Sequence, residues 1–202
     1  MENIYKTSVA GFTLVELLVS LSIITVIMTV VLFNYKTFSD NLSLASAGQE
    51  VVIAIRQAQT YGLNVKEVTV SGGVFTSAYG VYFDSAYDTT HYYLFTDTNG
   101  NMIYDGGNGC GSGNTECVKQ ETLRNGVKIS NICDATTCPP VATARRANIT
   151  FLRPNPDALV YFTNIASSTV AGPSSTGKIV LTSLKNKNLT VIVESTGQIL
   201  VQ

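Results

Sequence analysis

The apolar run at residues 12–33 constrains this chain more than any other stretch, because a single carboxylate stands inside it. The run opens Gly11-Phe12-Thr13-Leu14-Val15-Glu16-Leu17-Leu18 and meets no second charge before it ends at Phe33. At ~1.5 Å per helical residue it is long enough to cross a bilayer core of ~30 Å. A carboxylate within such a run costs roughly 2.5–3.5 kcal/mol on insertion scales, so it calls for a partner. The small residues Ser8, Ala10 and Gly11 precede the run, whereas a secretory signal places its cleavage site after the apolar core. Cutting after Gly11 would remove only a polar leader. The apolar segment would stay on the mature chain, with a new ammonium about one helical turn from Glu16. A plain signal anchor is the alternative, but it gives no reason for Gly11, for Glu16 or for their spacing.

These residues resemble the class III signal of type IV pilins and type II secretion pseudopilins. The pattern is Gly, then Phe, then Thr-Leu-Val-Glu-Leu-Leu-Val, and residues 11–19 match it at each place. The resemblance implies that a membrane-embedded prepilin peptidase cuts between Gly11 and Phe12 and N-methylates Phe12. Gly suits such a site because a residue without Cβ lets a protease approach the backbone closely. Lys6 and the amino terminus, set against Glu2, give the leader a slight positive bias that favours the cytoplasmic side. In the filaments of this family the glutamate at the Glu16 position pairs with the terminal ammonium of a neighbouring subunit. Removing one member of such an ion pair leaves a buried charge, at about 3–5 kcal/mol. The blander reading is a Glu16 that snorkels to the interface near the helix end. The resemblance also implies a single pass in the inner (cytoplasmic) membrane with the remaining domain outside the cytoplasm. The implied partners are the prepilin peptidase, other pilins or pseudopilins through their stem helices, and an inner-membrane assembly platform.

The 202 residues, 191 after loss of the leader, suit one domain on a helical stem. A net charge of −1 points to neither a basic nor an acidic partner. From Leu44 the apolar or small positions are Leu44, Ala47, Val51, Ala54, Ile55, Ala58 and Gly62, one face of a helix. No Pro precedes Pro139, so nothing forces a break. A nearly continuous helix from about residue 12 to about residue 61 would be roughly 75 Å long. Gly62 and Asn64 are its stop signals, and the more polar stretch 34–48 is where it would bend or partly unwind. The organisation is thus a leader at 1–11, a stem helix at 12–62 (transmembrane 12–33, amphipathic 44–62) and a β-rich domain at 63–202.

Beyond Asn64 the periodicity changes to two. Val68 and Val70 alternate with Glu67 and Thr69, and 79–83 and 91–95 are short aromatic runs suited to strands. Further strands are expected at 118–123, 127–132, 148–152, 158–162, 178–184, 189–193 and 199–201, with Ser195-Thr196-Gly197-Gln198 as the turn of a last hairpin. The expected fold class is α+β, a long N-terminal helix packed on an antiparallel β-sandwich, pilin-like. A long helix feeding a compact β domain is the architecture of minor pseudopilins, and the chain is similar to the H-type group. Arg56-Gln57-Ala58-Gln59, 79–83, Phe95-Thr96-Asp97-Thr98-Asn99-Gly100-Asn101 and Gly197-Gln198-Ile199 carry that similarity.

Four cysteines, Cys110, Cys117, Cys133 and Cys138, lie in the β part. An even count in an exported domain argues for two disulfides. Three pairings are open, and the local one, Cys110 with Cys117 and Cys133 with Cys138, is preferred because it pins two loops rich in small residues. Zinc is the rival, without a Cys-x-x-Cys pair or a nearby His. Asp97, Asn99, Asn101 and Asp105 occupy positions one, three, five and nine of a calcium loop. Met102 stands where such a loop needs Gly, and Asn108 where it needs the bidentate Glu. An Asn99-Gly100 hairpin turn is therefore preferred over calcium, and no other cofactor is indicated. His91, flanked by aromatics, reads as a sheet residue. Arg145 and Arg146, with Arg124, Lys128 and Arg153, would form a basic patch of the kind that contacts DNA phosphates. No Gly-x-Ser-x-Gly elbow and no phosphate-binding loop occur. The functional expectation is a non-enzymatic minor pilin or pseudopilin of a type IV pilus-like or type II secretion filament. The alternatives are a DNA-binding minor pilin for DNA uptake and a membrane-anchored exported enzyme.

Overall fold

A computed structural model describes residues 11–64, 78–107, 109–111, 113–139, 145–165 and 169–202. The expected Val68–Val70 alternation and the leader residues before Gly11 lie outside them. The chain divides into two units, residues 1–39 and residues 40–202. One helix, α1 (Leu14–Leu63), contributes to both. The stretch 34–48 stays helical, because polar side chains alone do not break a helix that lacks Pro.

In the first unit the apolar side chains of α1 are exposed, from Leu14 at 75 % to Phe33 at 80 %. The helix is long and apolar enough to cross a membrane, and its most apolar window is not buried within the molecule.

In the second unit α1 is one-sided. Leu44, Ala47, Val51, Ala54, Ile55 and Ala58 are buried, while Ile53 stays exposed. Among the described residues ten strands follow: β1 (Ala78–Asp84), β2 (His91–Asp97), β3 (Cys117–Thr122), β4 (Lys128–Cys133), β5 (Arg145–Phe151), β6 (Ala158–Asn164), β7 (Val170–Ser174), β8 (Thr176–Thr182), β9 (Asn188–Glu194) and β10 (Ile199–Val201). They form a six-stranded sheet, β3-β2-β1-β5-β6-β7, and a four-stranded sheet, β10-β9-β8-β4. The pairings are antiparallel, among them Val81 with Leu94 and with Ile149 across the centre of the larger sheet. One core joins the α1 stripe to Val81, Phe83, Leu94, Ile149, Phe151 and Val160 of the larger sheet and to Ile179, Leu181, Val191 and Val193 of the smaller one. Gly62, in the last turn of α1, lets the helix approach the sheet; a Cβ there would run into the Phe151 carbonyl oxygen.

The other face of β1 and β2 is covered as well. Tyr82, Tyr93 and Phe95 form a second cluster with Tyr104, which reaches them from the connection between β2 and β3. Tyr82 and Tyr104 ring centroids lie 4.9 Å apart, and those of Tyr93 and Tyr104 5.6 Å apart. This connection, residues 98–116, corrects the expected two-residue hairpin at Asn99-Gly100. The strand after β2 starts only at Cys117, so the turn chemistry of Asn-Gly serves a long loop instead. Two other elements differ from expectation. β5 starts three residues early, at Arg145, and β7 has no apolar alternation because its side chains are mostly exposed at a sheet edge. Pro173 within β7 is compatible only with such an edge. Edges are blunted elsewhere too: β3 and β4 each carry a register shift, and β10 has three residues.

Ile55→Ala is expected to cost roughly 2–5 kcal/mol, since its side chain is fully enclosed. Ile53→Ala, two residues away and 64 % exposed, is expected to change stability by less than about 0.5 kcal/mol. Guanidinium unfolding of the full chain in detergent, followed by circular dichroism, checks both; equal losses would contradict the buried stripe.

Candidate processing and assembly site

The start of α1 brings the expected site residues together. Gly11, Phe12 and Thr13 precede the helix outside any regular secondary structure and are exposed. Thr13 is the N-cap: the Glu16 backbone N–H donates to Thr13 Oγ1 at 3.3 Å. Thr13-Leu14-Val15-Glu16 thus has the spacing of a capping box, with Glu16 at the third helical position, near the positive end of the helix dipole. The Thr13–Glu16 pair is a sequence signal that the membrane reading overlooked. It sets the helix start two residues after the Gly11–Phe12 bond and leaves that bond outside the hydrogen-bonded ladder.

The fold makes no demand for Gly at position 11. A Cβ there would meet nothing within 4 Å, and its φ is not in the left-handed region. The Glu16 side chain is exposed, and among the described residues no cation pairs with it. Among the described residues, neither the Gly11 side of the chain nor the Glu16 carboxylate is called for by a side-chain contact.

The other candidates are held within the domain. Arg145 Nη1 lies 3.0 Å from Asp134 Oδ2, with its guanidinium over the Phe162 ring at 5.9 Å. Arg146 Nε donates to the fully buried Asp84 at 3.1 Å and lies over Tyr87 at 5.6 Å. Both arginines are thus committed to ion pairs, and they do not form the open basic patch expected from their adjacency. Burial pushes the Asp134 carboxyl up, but hydrogen bonds from Thr137, Thr136 and Arg145 outweigh it and hold the group well below the usual carboxylate range. His91 opens β2, its Nδ1 2.7 Å from Asp88 Oδ1, while the Tyr93 hydroxyl donates to Asp88 Oδ2.

The 98–116 loop is organised by two buried carboxylates. Asp97 accepts from the backbone N–H groups of Gly100 at 2.8 Å and Asn101 at 3.2 Å through Oδ1, and from that of Met102 at 2.8 Å through Oδ2. Met102 takes the left-handed conformation that a Gly would take, with φ 63°. Asn99 and Asn101 both donate to Asp105 Oδ2 at 2.7 Å. Glu116, which spacing alone did not single out, accepts from Asp105 N at 2.8 Å and Thr98 N at 3.3 Å. Burial raises the Glu116 pKa, the Asp105 and Thr98 N–H groups oppose that, and the Asp105 charge adds to it. Among the described residues no group of three or more His, Cys, Asp or Glu is arranged to hold a metal ion. Position 108 lies outside them. Disulfides join Cys110 to Cys117 within this loop and Cys133 to Cys138 after β4.

Residues 6–32 match the family model of the prokaryotic N-terminal methylation motif. No curated protein and no solved structure matches the chain significantly. The motif, followed by the long N-terminal helix on an antiparallel β domain, is consistent with a type IV pilin-like protein.

Two outcomes are expected. The Asp134 pKa is depressed in the fold, so its contribution to stability is present above the unfolded value of ~4 and is lost as pH falls below it. Asp134→Asn should flatten the decline in unfolding free energy measured from pH 5 to pH 2. Glu116→Gln keeps one acceptor oxygen and sets an amide NH2 against the N–H of Asp105 or of Thr98. Local stability worth ~1–3 kcal/mol should be lost, raising hydrogen exchange at Asp105 and Thr98 about tenfold or more while β5 stays protected.

Proposed function

We propose that the chain is a minor pilin or pseudopilin subunit. A prepilin peptidase cuts it after Gly11 and methylates Phe12, and its apolar helix then packs among neighbouring stems in a type IV pilus-like or type II secretion filament. Before assembly the subunit waits in the inner membrane with its β domain outside the cytoplasm. The observation that carries this reading is the placement of the Gly11–Phe12 bond. It sits in exposed, non-helical backbone directly ahead of a capped helix, at a position where a Cβ would meet nothing. A protease needs an accessible extended segment, and a bond one turn further on would lie inside the helical ladder.

Glu16 has a second role in this reading. Once Phe12 is the terminus, its ammonium and the carboxylate at the third helical position are complementary charges on every subunit. Pairing between adjacent subunits would neutralise both within an apolar bundle. The two disulfides suit a domain displayed in an oxidising compartment. DNA binding draws no support from Arg145 and Arg146, because each is already paired.

Gly11→Ala should leave the unfolding profile unchanged, since the new methyl meets nothing. It should abolish appearance of the 191-residue species when the chain is co-expressed with a prepilin peptidase, as read by intact mass. Cleavage of that variant at the same bond would sink the peptidase reading. Glu16→Val should be cleaved normally but excluded from sheared filaments. Normal incorporation would remove the ion-pair role.

A further inference from the structure

Asn-Gly occurs at 99–100, 108–109 and 125–126. Each such pair carries latent chemistry, because a glycine without Cβ lets its backbone nitrogen reach the carbonyl carbon of the preceding asparagine side chain. Asn108 lies outside the described residues. The other two pairs are both exposed, so exposure does not separate them. Their hydrogen bonds do.

At 99–100 every reacting group is held. Gly100 N donates to Asp97 Oδ1 at 2.8 Å. Asn99 Nδ2 donates to Asp105 Oδ2 at 2.7 Å, and Asn99 Oδ1 accepts from Asn101 N at 3.1 Å. Two carboxylates thus fix both the nitrogen that would attack and the nitrogen that would leave. A carboxylate on the Gly100 N–H also opposes loss of its proton.

At 125–126 the reacting groups are free. Arg124-Asn125-Gly126-Val127 joins β3 to β4, with Asn125 at φ 55° and Gly126 at φ 73°, and Val127 N donates to Arg124 O at 3.1 Å. These are the two positive φ values of a type I′ turn. Among the described residues nothing hydrogen-bonds the Asn125 side chain or the Gly126 N–H. The neighbouring charge is the Arg124 cation rather than a carboxylate. The segments on either side are anchored, since Leu123 N donates to Thr90 O at 2.8 Å and Ile129 N to Thr89 O at 2.7 Å. Breaking the Val127–Arg124 bond therefore opens the turn while its flanks stay in place.

We propose that Asn125 is a modification site, converted in the folded domain to aspartate and isoaspartate while Asn99 is protected. The Gly126 nitrogen gives its proton to solvent and bonds to Asn125 Cγ. The Cγ–Nδ2 bond breaks, the side-chain nitrogen leaves as ammonia, and a succinimide ring remains. Water then adds to either ring carbonyl and breaks its bond to nitrogen. One water is consumed and one ammonia released, with no change of oxidation state. The product gains a negative charge beside Arg124. Its isoaspartyl form puts an extra methylene into the backbone, which a two-residue turn does not accommodate, so the link between the two sheets loosens.

The two sites fall in different tryptic peptides, 67–119 and 125–128. The full chain would be aged in detergent in mildly alkaline buffer, natively or in urea, and mapped by mass spectrometry with fragmentation that tells isoaspartate from aspartate. In the native chain Asn125 should convert at least about tenfold faster than Asn99, since each charge-assisted bond that must break slows reaction by roughly that factor. In urea the two rates should converge. Asp97→Asn should speed conversion at Asn99 and leave Asn125 unchanged. Ile55→Ala should leave the native rate at Asn125 unchanged, because only the turn opens. Native conversion at Asn125 no faster than at Asn99 would overturn the proposal. So would a difference that persists in urea, which would trace to sequence context, or acceleration by Ile55→Ala, which would make global unfolding the route.

Discussion

Burial of one stripe of α1 is the contact on which the β domain depends. Val51, Ile55 and Ala58 are fully enclosed by side chains from both sheets, so the helix is what lets a six-stranded and a four-stranded sheet share one core. Gly48 and Gly62 allow the approach: Gly48 faces Leu189 of β9, and Gly62 abuts the Phe151 backbone of β5. The same helix carries exposed apolar residues from Leu14 onward, which need lipid or other helices. A single secondary-structure element thus serves two solvents, and the change falls where the side-chain pattern turns from uniformly apolar to one-sided.

Around that core, buried carboxylates order the loops of the domain. Asp84, Asp97 and Glu116 are buried, and each is satisfied by turn N–H groups, hydroxyls or an arginine. The 98–116 loop adds a second small core through Tyr104 and is closed by the Cys110–Cys117 bond. The loop is thereby held in one conformation at the surface of the domain.

Much of the architecture was legible from residue pattern. The apolar run, the i, i+3, i+4 stripe after Leu44 and the aromatic alternations at 79–83 and 91–95 each describe a local surface that must be buried in one way. What escaped lacked such a surface. β7 lies exposed at an edge with a Pro in it, and Asn99-Gly100 has the chemistry of a tight hairpin but sits in a long excursion. Glu116 was invisible because its role depends on Asp105 and Thr98, which sequence separates from it by 11 and 18 residues.

Sequence alone determined the cleavage-type motif, the membrane-length helix and the α+β class, since each follows from residue type at short, fixed spacing. Tertiary structure alone decided that a Cβ at Gly11 meets nothing, that Arg145 and Arg146 are paired with Asp134 and Asp84, and that the turn between β8 and β9 is held to α1 through Ser183 and Asp40. These are statements about which distant segments share a neighbourhood. Burial and long-range pairing set them, and no periodicity encodes them.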